Sequence, residues 1–333
     1  MLLAAALMQA RDGIVDGGPL PLSPPGAVTL DPVGRLLRLD ASLRRAILEA
    51  ELLADLDYEV EPAGLAASAI TVLRREAGAA PRSASYVPLL RIARPTDAQF
   101  AEQVQLVAAY ADLRLDRMAE IQIQTGDIVS FFAGILRMEQ PRMKRTGLVL
   151  GLALDIATAV SQRAKLALAA PRPYQFSTSL QPAIPGPVHA SYPSGHATQA
   201  FTVATVLSIL SGAGGEPAAD SQLFRMAARI AANRTVAGVH YPVDSAAGAV
   251  IGIAVGGYLA ARAQASGAAE AFEFHGGAWD LAPGPRDFHL AELLAALAGD
   301  GTIDRSAGGA VLQAPLFAGI WAEAVKEWGE TWS

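Results

Sequence analysis

Along most of this chain apolar residues recur at intervals of three and four, the period of a helix with one buried face. Leu43, Ile47, Leu48, Leu52 and Leu53 mark one amphipathic helix, and a second is expected near Leu65 to Arg75. A longer one runs from Asp97, a good N-cap, to about Ile123. Thr125, Gly126 and Asp127 then punctuate the chain before another, Ile128 to Met138. Gly147 to Ala169 is apolar on nearly every side, as the central helix of a bundle must be. Further helices start near Ser194, Ala218 and Pro242, and two shorter ones span Leu290 to Leu297 and Pro315 to Trp328. A Pro/Gly-rich arm from Gly17 to Gly26 and the stretch Gln264 to Arg286 read as loop. No alternating strand pattern persists and no repeat is visible, so the expected fold is an all-α helical bundle.

Composition sharpens this picture. Apolar residues make up 52% of the 333 and charged residues only 17%, so much of the chain is buried or lies at a subunit interface, pointing to a homo-oligomer such as a dimer. The two longest uncharged apolar stretches, Ala197 to Gly215 and Ser245 to Ala261, are rich in Gly, Ala, Ser and Thr, which suits central buried helices better than membrane spans. The region before Arg142 offers no span of about 20 residues, so no transmembrane segment is expected. The run Leu2 to Ala10 lacks a basic n-region and a convincing cleavage site, which leaves cytoplasm and periplasm both open. A net charge of −6 with no basic stripe excludes nucleic acid. The absence of cysteine excludes a disulfide framework, a thiolate metal site and thiol damage by peroxide.

Three short blocks carry candidate chemistry. Lys165 is followed seven residues later by Arg172 and Pro173. Tyr192, Pro193, Ser194, Gly195 and His196 form the second block, and Asn233, Arg234, His240 and Asp244 lie in the third. An oxyanion spreads charge over several oxygens, so guanidinium forks, an ammonium and inward-pointing backbone amides hold it best. Lys165 and Arg172 fall two turns apart, so on a helix reaching Ala170 they emerge on one face near its end. Two cations there also complement the helix dipole. Ser194 can N-cap the apolar run that follows, leaving the Gly195 amide facing an anion. Asp244 comes four residues after His240, close enough to take a hydrogen bond from one ring nitrogen and free the other; it also suits a first-turn carboxylate. From Pro173 to Gly215 there is no Asp, Glu, Lys or Arg, so no competing charge enters from that segment. Of five histidines, three fall in or beside these blocks: His189, His196 and His240.

The order and spacing of Lys165, Arg172, Pro173, then Pro193, Ser194, Gly195, His196, then Arg234, His240, Asp244 resemble the three-part signature of the superfamily uniting type 2 phosphatidic acid phosphatases, bacterial class A acid phosphatases and vanadium-dependent haloperoxidases. The resemblance covers roughly Arg142 to Ala261, and Asn233 departs from it, since many members have serine there. It implies a helical bundle with Lys165, Arg172 and Arg234 holding the oxyanion, Ser194 and the Gly195 amide completing the cradle, and His196 as general acid/base. His240 would be the phosphorylated nucleophile of a phosphatase or the one protein ligand to vanadium in a haloperoxidase, oriented by Asp244. His189, seven residues before His196, matches a second histidine found at that position in vanadium bromoperoxidases. The implied activity is therefore bromide or iodide oxidation by hydrogen peroxide with vanadate as cofactor, with hydrolysis of small phosphate esters as the alternative. The expected division is a helical region over 1–140 packing on the core, a catalytic helical-bundle core over 141–263, and a loop with short helices over 264–333, all sharing one structural domain.

Overall fold

A computed structural model describes residues 2–12, 26–78, 85–139, 141–265, 267–280 and 284–329. In the N-terminal part, helices α1 (Leu2–Asp12), α2 (Pro32–Leu37) and α3 (Ala41–Leu53) precede strands β1 (Leu56–Ala63), β2 (Ala66–Arg75) and β3 (Tyr86–Ala93). Helices α4 (Asp97–Ala109), α5 (Arg114–Ile123) and α6 (Val129–Leu136) lead into the centre. There lie α7 (Lys144–Leu168), the short α8 (Pro173–Phe176), α9 (Gly195–Leu210), α10 (Gln222–Val236) and α11 (Pro242–Arg262). Strand β4 (Ala268–His275), α12 (Leu290–Leu297), β5 (Ile303–Ala310) and α13 (Pro315–Gly329) close the chain.

The expectation of an all-α bundle is overturned by a five-stranded mixed sheet in the order β1, β2, β3, β4, β5. Its first three strands form an antiparallel meander, β3 and β4 run parallel, and β5 pairs antiparallel with β4. The helix expected near Leu65 to Arg75 is β2, and the loop expected from Gln264 contains β4. Burial explains the first error: from Ala69 to Arg74 every residue of β2 is buried, so the strand presents a continuous apolar run without alternation. The β-branched Ile70, Thr71 and Val72 at its centre favour the extended form. In β4 the alternation is real but short, with Phe272 and Phe274 buried between the half-exposed Glu273 and His275. The parallel pairing sets Leu90 opposite Phe272 and Ile92 opposite Phe274, tying the first hundred residues to the last seventy. The expected helix from Asp97 to Ile123 is divided by a 3₁₀ turn at Tyr110–Leu113, and its N-cap is Thr96, whose side chain accepts from the Gln99 amide. Most of the Pro/Gly-rich arm lies outside the described residues.

Helices α7, α9, α10 and α11 pack together beside this sheet, with α7 against β2 and α11 against β4. From Pro242 to Gly256 every residue of α11 is buried. Gly248, Gly252 and Gly256 repeat at one-turn intervals and form the seam against α9. A Cβ on Gly252 would lie 2.6 Å from both the Thr198 carbonyl oxygen and Phe201 Cβ, so only glycine allows these two backbones to come this close. That close approach fixes Ser194 against Asp244, whose carbonyl accepts from the Ser194 amide at 2.8 Å. The helix Pro242–Arg262 is long and apolar enough to cross a membrane, yet 94% of its most apolar window is buried inside the protein, as expected of a core helix.

Candidate functional site

One end of each central helix converges on one pocket. Helix α7 stops at Ala169, which adopts a left-handed conformation (φ 45°), and the chain then runs extended to Arg172. Lys165, in the last turn of α7, is buried and donates to the carbonyls of Ala190 (2.9 Å) and Ser191 (2.6 Å). Arg172 donates through Nε and Nη2 to the His189 carbonyl at 3.2 and 3.1 Å, through Nη2 to that of Ala190 at 3.1 Å, and through Nη1 to that of Val239 at 2.6 Å. These two cations therefore hold the loop 189–191 in shape from behind. The Lys165 ammonium sits at the helix end, where it complements the dipole, and behind the wall of the site.

Ser194 is the N-cap of α9, its hydroxyl accepting from the Ala197 amide at 3.3 Å. Gly195 follows as the first helical residue, and the nearest atom to a Cβ built there would be Lys165 Cε at 3.8 Å. Asp244 serves both purposes foreseen for it. Its Oδ2 lies 2.6 Å from His240 Nδ1 and accepts from the Tyr241 amide at the start of α11 (3.2 Å) and from Ser191 Oγ (2.5 Å). Arg172 Nη1 approaches the other ring nitrogen, His240 Nε2, at 3.1 Å. A guanidinium can only donate, so Nε2 is an acceptor and Nδ1 carries the proton toward Asp244. That tautomer places the lone pair on Nε2, the atom a nucleophile or metal ligand would use, where Arg172 Nη1 now donates to it.

His196 Nε2 lies 3.0 Å from the Gln124 carbonyl oxygen, which again can only accept. In the neutral ring Nε2 therefore carries the proton and Nδ1 the lone pair. Burial, with Arg234 next in effect, lowers the His196 pKa to about 3. His240 is pushed well below the ordinary histidine value by burial and then by Arg172 and Lys165. Burial also lowers Arg234 to about 10 and drives Lys165 well down. Asp244 moves the other way, raised to about 6 by burial against the opposing bonds and charges of Ser191, Lys165 and Arg172. Each shift has burial as its largest cause, and neighbouring cations add to the lowering at His196, His240 and Lys165. An anion would offset those cations.

A cavity of about 280 Å³ opens on this group. His189, Gly195, His196, Arg234 and His240 line it together with Gln124, Thr158, Ser161 and Gln199, whereas Lys165, Arg172, Ser194 and Asp244 stand behind its wall. His189 is the exposed member, and its Nδ1 lies 3.0 Å from Arg172 Nη2. Arg234 Nη2 donates to the Ile121 carbonyl and to Gln124 Oε1, but its Nε and Nη1 are buried with no partner among the described residues. Two unpartnered guanidinium nitrogens on the cavity wall, beside His240, fit a tetrahedral oxyanion such as phosphate or vanadate. Ser191 and Gln124 were missed by sequence reasoning. Neither residue type at those positions carries a spacing signal, and both act through contacts between distant elements.

Residues 146–267 match the family model of the PAP2 superfamily, a stretch that begins in α7, ends just before β4, and contains every block singled out above. No curated protein matches the chain. The PAP2 superfamily includes phosphatases and haloperoxidases. The site imidazoles His196 and His240, the cations Lys165, Arg172 and Arg234 and the Asp244 carboxylate all lie within residues 146–267, the stretch that matches the PAP2 superfamily.

Proposed function

We propose that this chain is a vanadium-dependent haloperoxidase that oxidises bromide or iodide with hydrogen peroxide. The observation that carries the reading is His189: a third imidazole lines the cavity, its Nδ1 3.0 Å from the guanidinium that also touches His240. Ester hydrolysis through a histidine needs two imidazoles, one to attack and one to exchange a proton, and leaves His189 without a task. Vanadate would be held by His240 Nε2 and by the free N–H groups of Arg234, with Gly195 admitting it to the start of α9 and Lys165 and Arg172 balancing its charge. When bound, it supplies the Lewis-acid centre that activates peroxide toward halide. His196 would take up or return a proton through Nδ1, while Asp244 holds the His240 ring. His189 faces the cavity from the exposed side, where a halide or peroxide enters.

One observation favours the second reading, a phosphatase acting through a phosphohistidine. The His240 Nδ1 to Asp244 Oδ2 contact of 2.6 Å would steady the positive charge His240 acquires on attacking phosphorus. In that case His196 protonates the departing alcohol. Parallel assays after reconstitution with orthovanadate separate the two, measuring bromide and iodide oxidation by peroxide and hydrolysis of a chromogenic phosphate ester. The haloperoxidase reading expects vanadate-dependent halide oxidation that changes in His189→Ala while vanadate affinity holds. Ester hydrolysis without halide oxidation, or kinetics and pH profiles unaltered in His189→Ala, would give the site to the phosphatase.

A further inference from the structure

Gln124 is the C-cap residue of α5, outside the stretch that matches the family. Its backbone carbonyl accepts from His196, and its side-chain Oε1 accepts from Arg234 Nη2 at 2.8 Å and from Asn233 Nδ2 at 3.1 Å. Asn233 Nδ2 also donates to Glu120 Oε2 at 3.1 Å, on a carboxylate that Arg229 holds from the other side. The chemistry of this chain of bonds fixes every amide in it. A carboxylate only accepts, so the Asn233 atom facing Glu120 is nitrogen; a guanidinium only donates, so the Gln124 atom facing Arg234 is oxygen. The Gln124 amide cannot turn over without losing both bonds.

Its Nε2 is thereby committed to the opposite direction. Gln124 is 1% exposed and lines the cavity, and Nε2 has no partner among the described residues. A buried amide NH2 left unpaired is costly, and the same wall carries the two unpartnered nitrogens of Arg234. We infer that Gln124 Nε2 is a neutral donor to the tetrahedral oxyanion that Arg234 holds, and that Asn233 fixes its orientation. This rests on the oxyanion reading of the pocket given above. A neutral donor adds direction without adding charge to a pocket already crowded with cations.

The test is calorimetric titration of the full chain with inorganic phosphate at pH 8, comparing wild type, Gln124→Met and Gln124→Glu. Methionine keeps the length and removes the donor, and affinity falls roughly tenfold to a hundredfold, the loss expected for one hydrogen bond to a charged group. Glutamate keeps the oxygen that Arg234 and Asn233 require but turns an acceptor toward the anion, so its loss exceeds that of methionine. As the pH is lowered and the new carboxyl gains a proton to donate, phosphate affinity of Gln124→Glu recovers relative to wild type. If Gln124 merely held Arg234 in place, the order would reverse, because a carboxylate holds a guanidinium at least as well as an amide and methionine does not hold it at all. That reversed order, or wild-type affinity in Gln124→Glu at pH 8, overturns the inference. Failure of the wild type itself to bind phosphate or orthovanadate would instead defeat the oxyanion reading.

Discussion

His240 carries its lone pair on Nε2 because Asp244 accepts at one ring nitrogen and Arg172 donates at the other, a bond that a ligand at Nε2 would displace. Asp244 must be ionised for this. With its pKa raised to about 6 by burial, kcat/KM should hold above that pH and fall as the pH drops through about 6. Stability should move the opposite way. A carboxyl raised in the folded state binds its proton more tightly there than in the unfolded chain, so its contribution is present below the ordinary carboxylate value and lost as pH rises through about 6. In Asp244→Asn the Tyr241 N–H, which can only donate, keeps an oxygen at the Oδ2 position, so the ring tautomer is held but the negative charge that supports His240 is lost. Turnover should drop about a hundredfold or more, and the acid limb near pH 6 should vanish from the pH–rate profile; an unchanged limb would assign it elsewhere. At this scale most of the site was legible, since the spacing of Lys165, Arg172, Ser194, His196, Arg234, His240 and Asp244 is local to short segments. Gln124 was not, because its role depends on α5 meeting α10 across more than a hundred residues of chain.

Among the elements, the seam between α9 and α11 positions the site most directly, since Ser194 at one helix start is bonded to Asp244 at the other. Gly252→Ala places a methyl 2.6 Å from the Thr198 carbonyl oxygen, which backbone cannot yield. Overpacking of this kind should cost about 1–3 kcal/mol, read as a lower melting temperature together with reduced turnover; wild-type behaviour in both would mean that the seam is looser than described. Helix α7 is secured differently. Glu327 of α13 accepts from the amides of Arg145 and Thr146 at 2.8 Å each, capping the end of α7 away from Lys165. Glu327→Ala should destabilise by about 1–2 kcal/mol and leave the KM of the folded enzyme unchanged, a split that denaturant titration and steady-state kinetics resolve. The helices were readable from their periodicity, but the sheet was not. Strand β2 is buried on both faces and β5 is mostly exposed, with two glycines, so neither offers the alternation that identifies a strand.

For the whole molecule, a net charge of −6 coexists with a site that concentrates the buried Lys165, Arg172 and Arg234. A ligand that binds only the folded state stabilises it by mass action. Phosphate or vanadate at a hundred times its dissociation constant should add about 2.7 kcal/mol and raise the melting temperature by several degrees, in competition with each other. A melting temperature indifferent to both anions would contradict a preformed oxyanion site. The sheet ties the first hundred residues to the last seventy through the pairing of β3 with β4, a long-range contact that helical periodicity does not carry.

The central claim is that one side-chain atom, His240 Nε2, bonds the central atom of the oxyanion while every other contact is a hydrogen bond or a charge. The most direct measurement is the vanadium retained after exhaustive dialysis of orthovanadate-loaded protein, wild type against His240→Ala. The wild type should keep close to one vanadium per chain and the variant almost none, with both remaining folded. Equal retention by the two, or none by the wild type, would contradict the account.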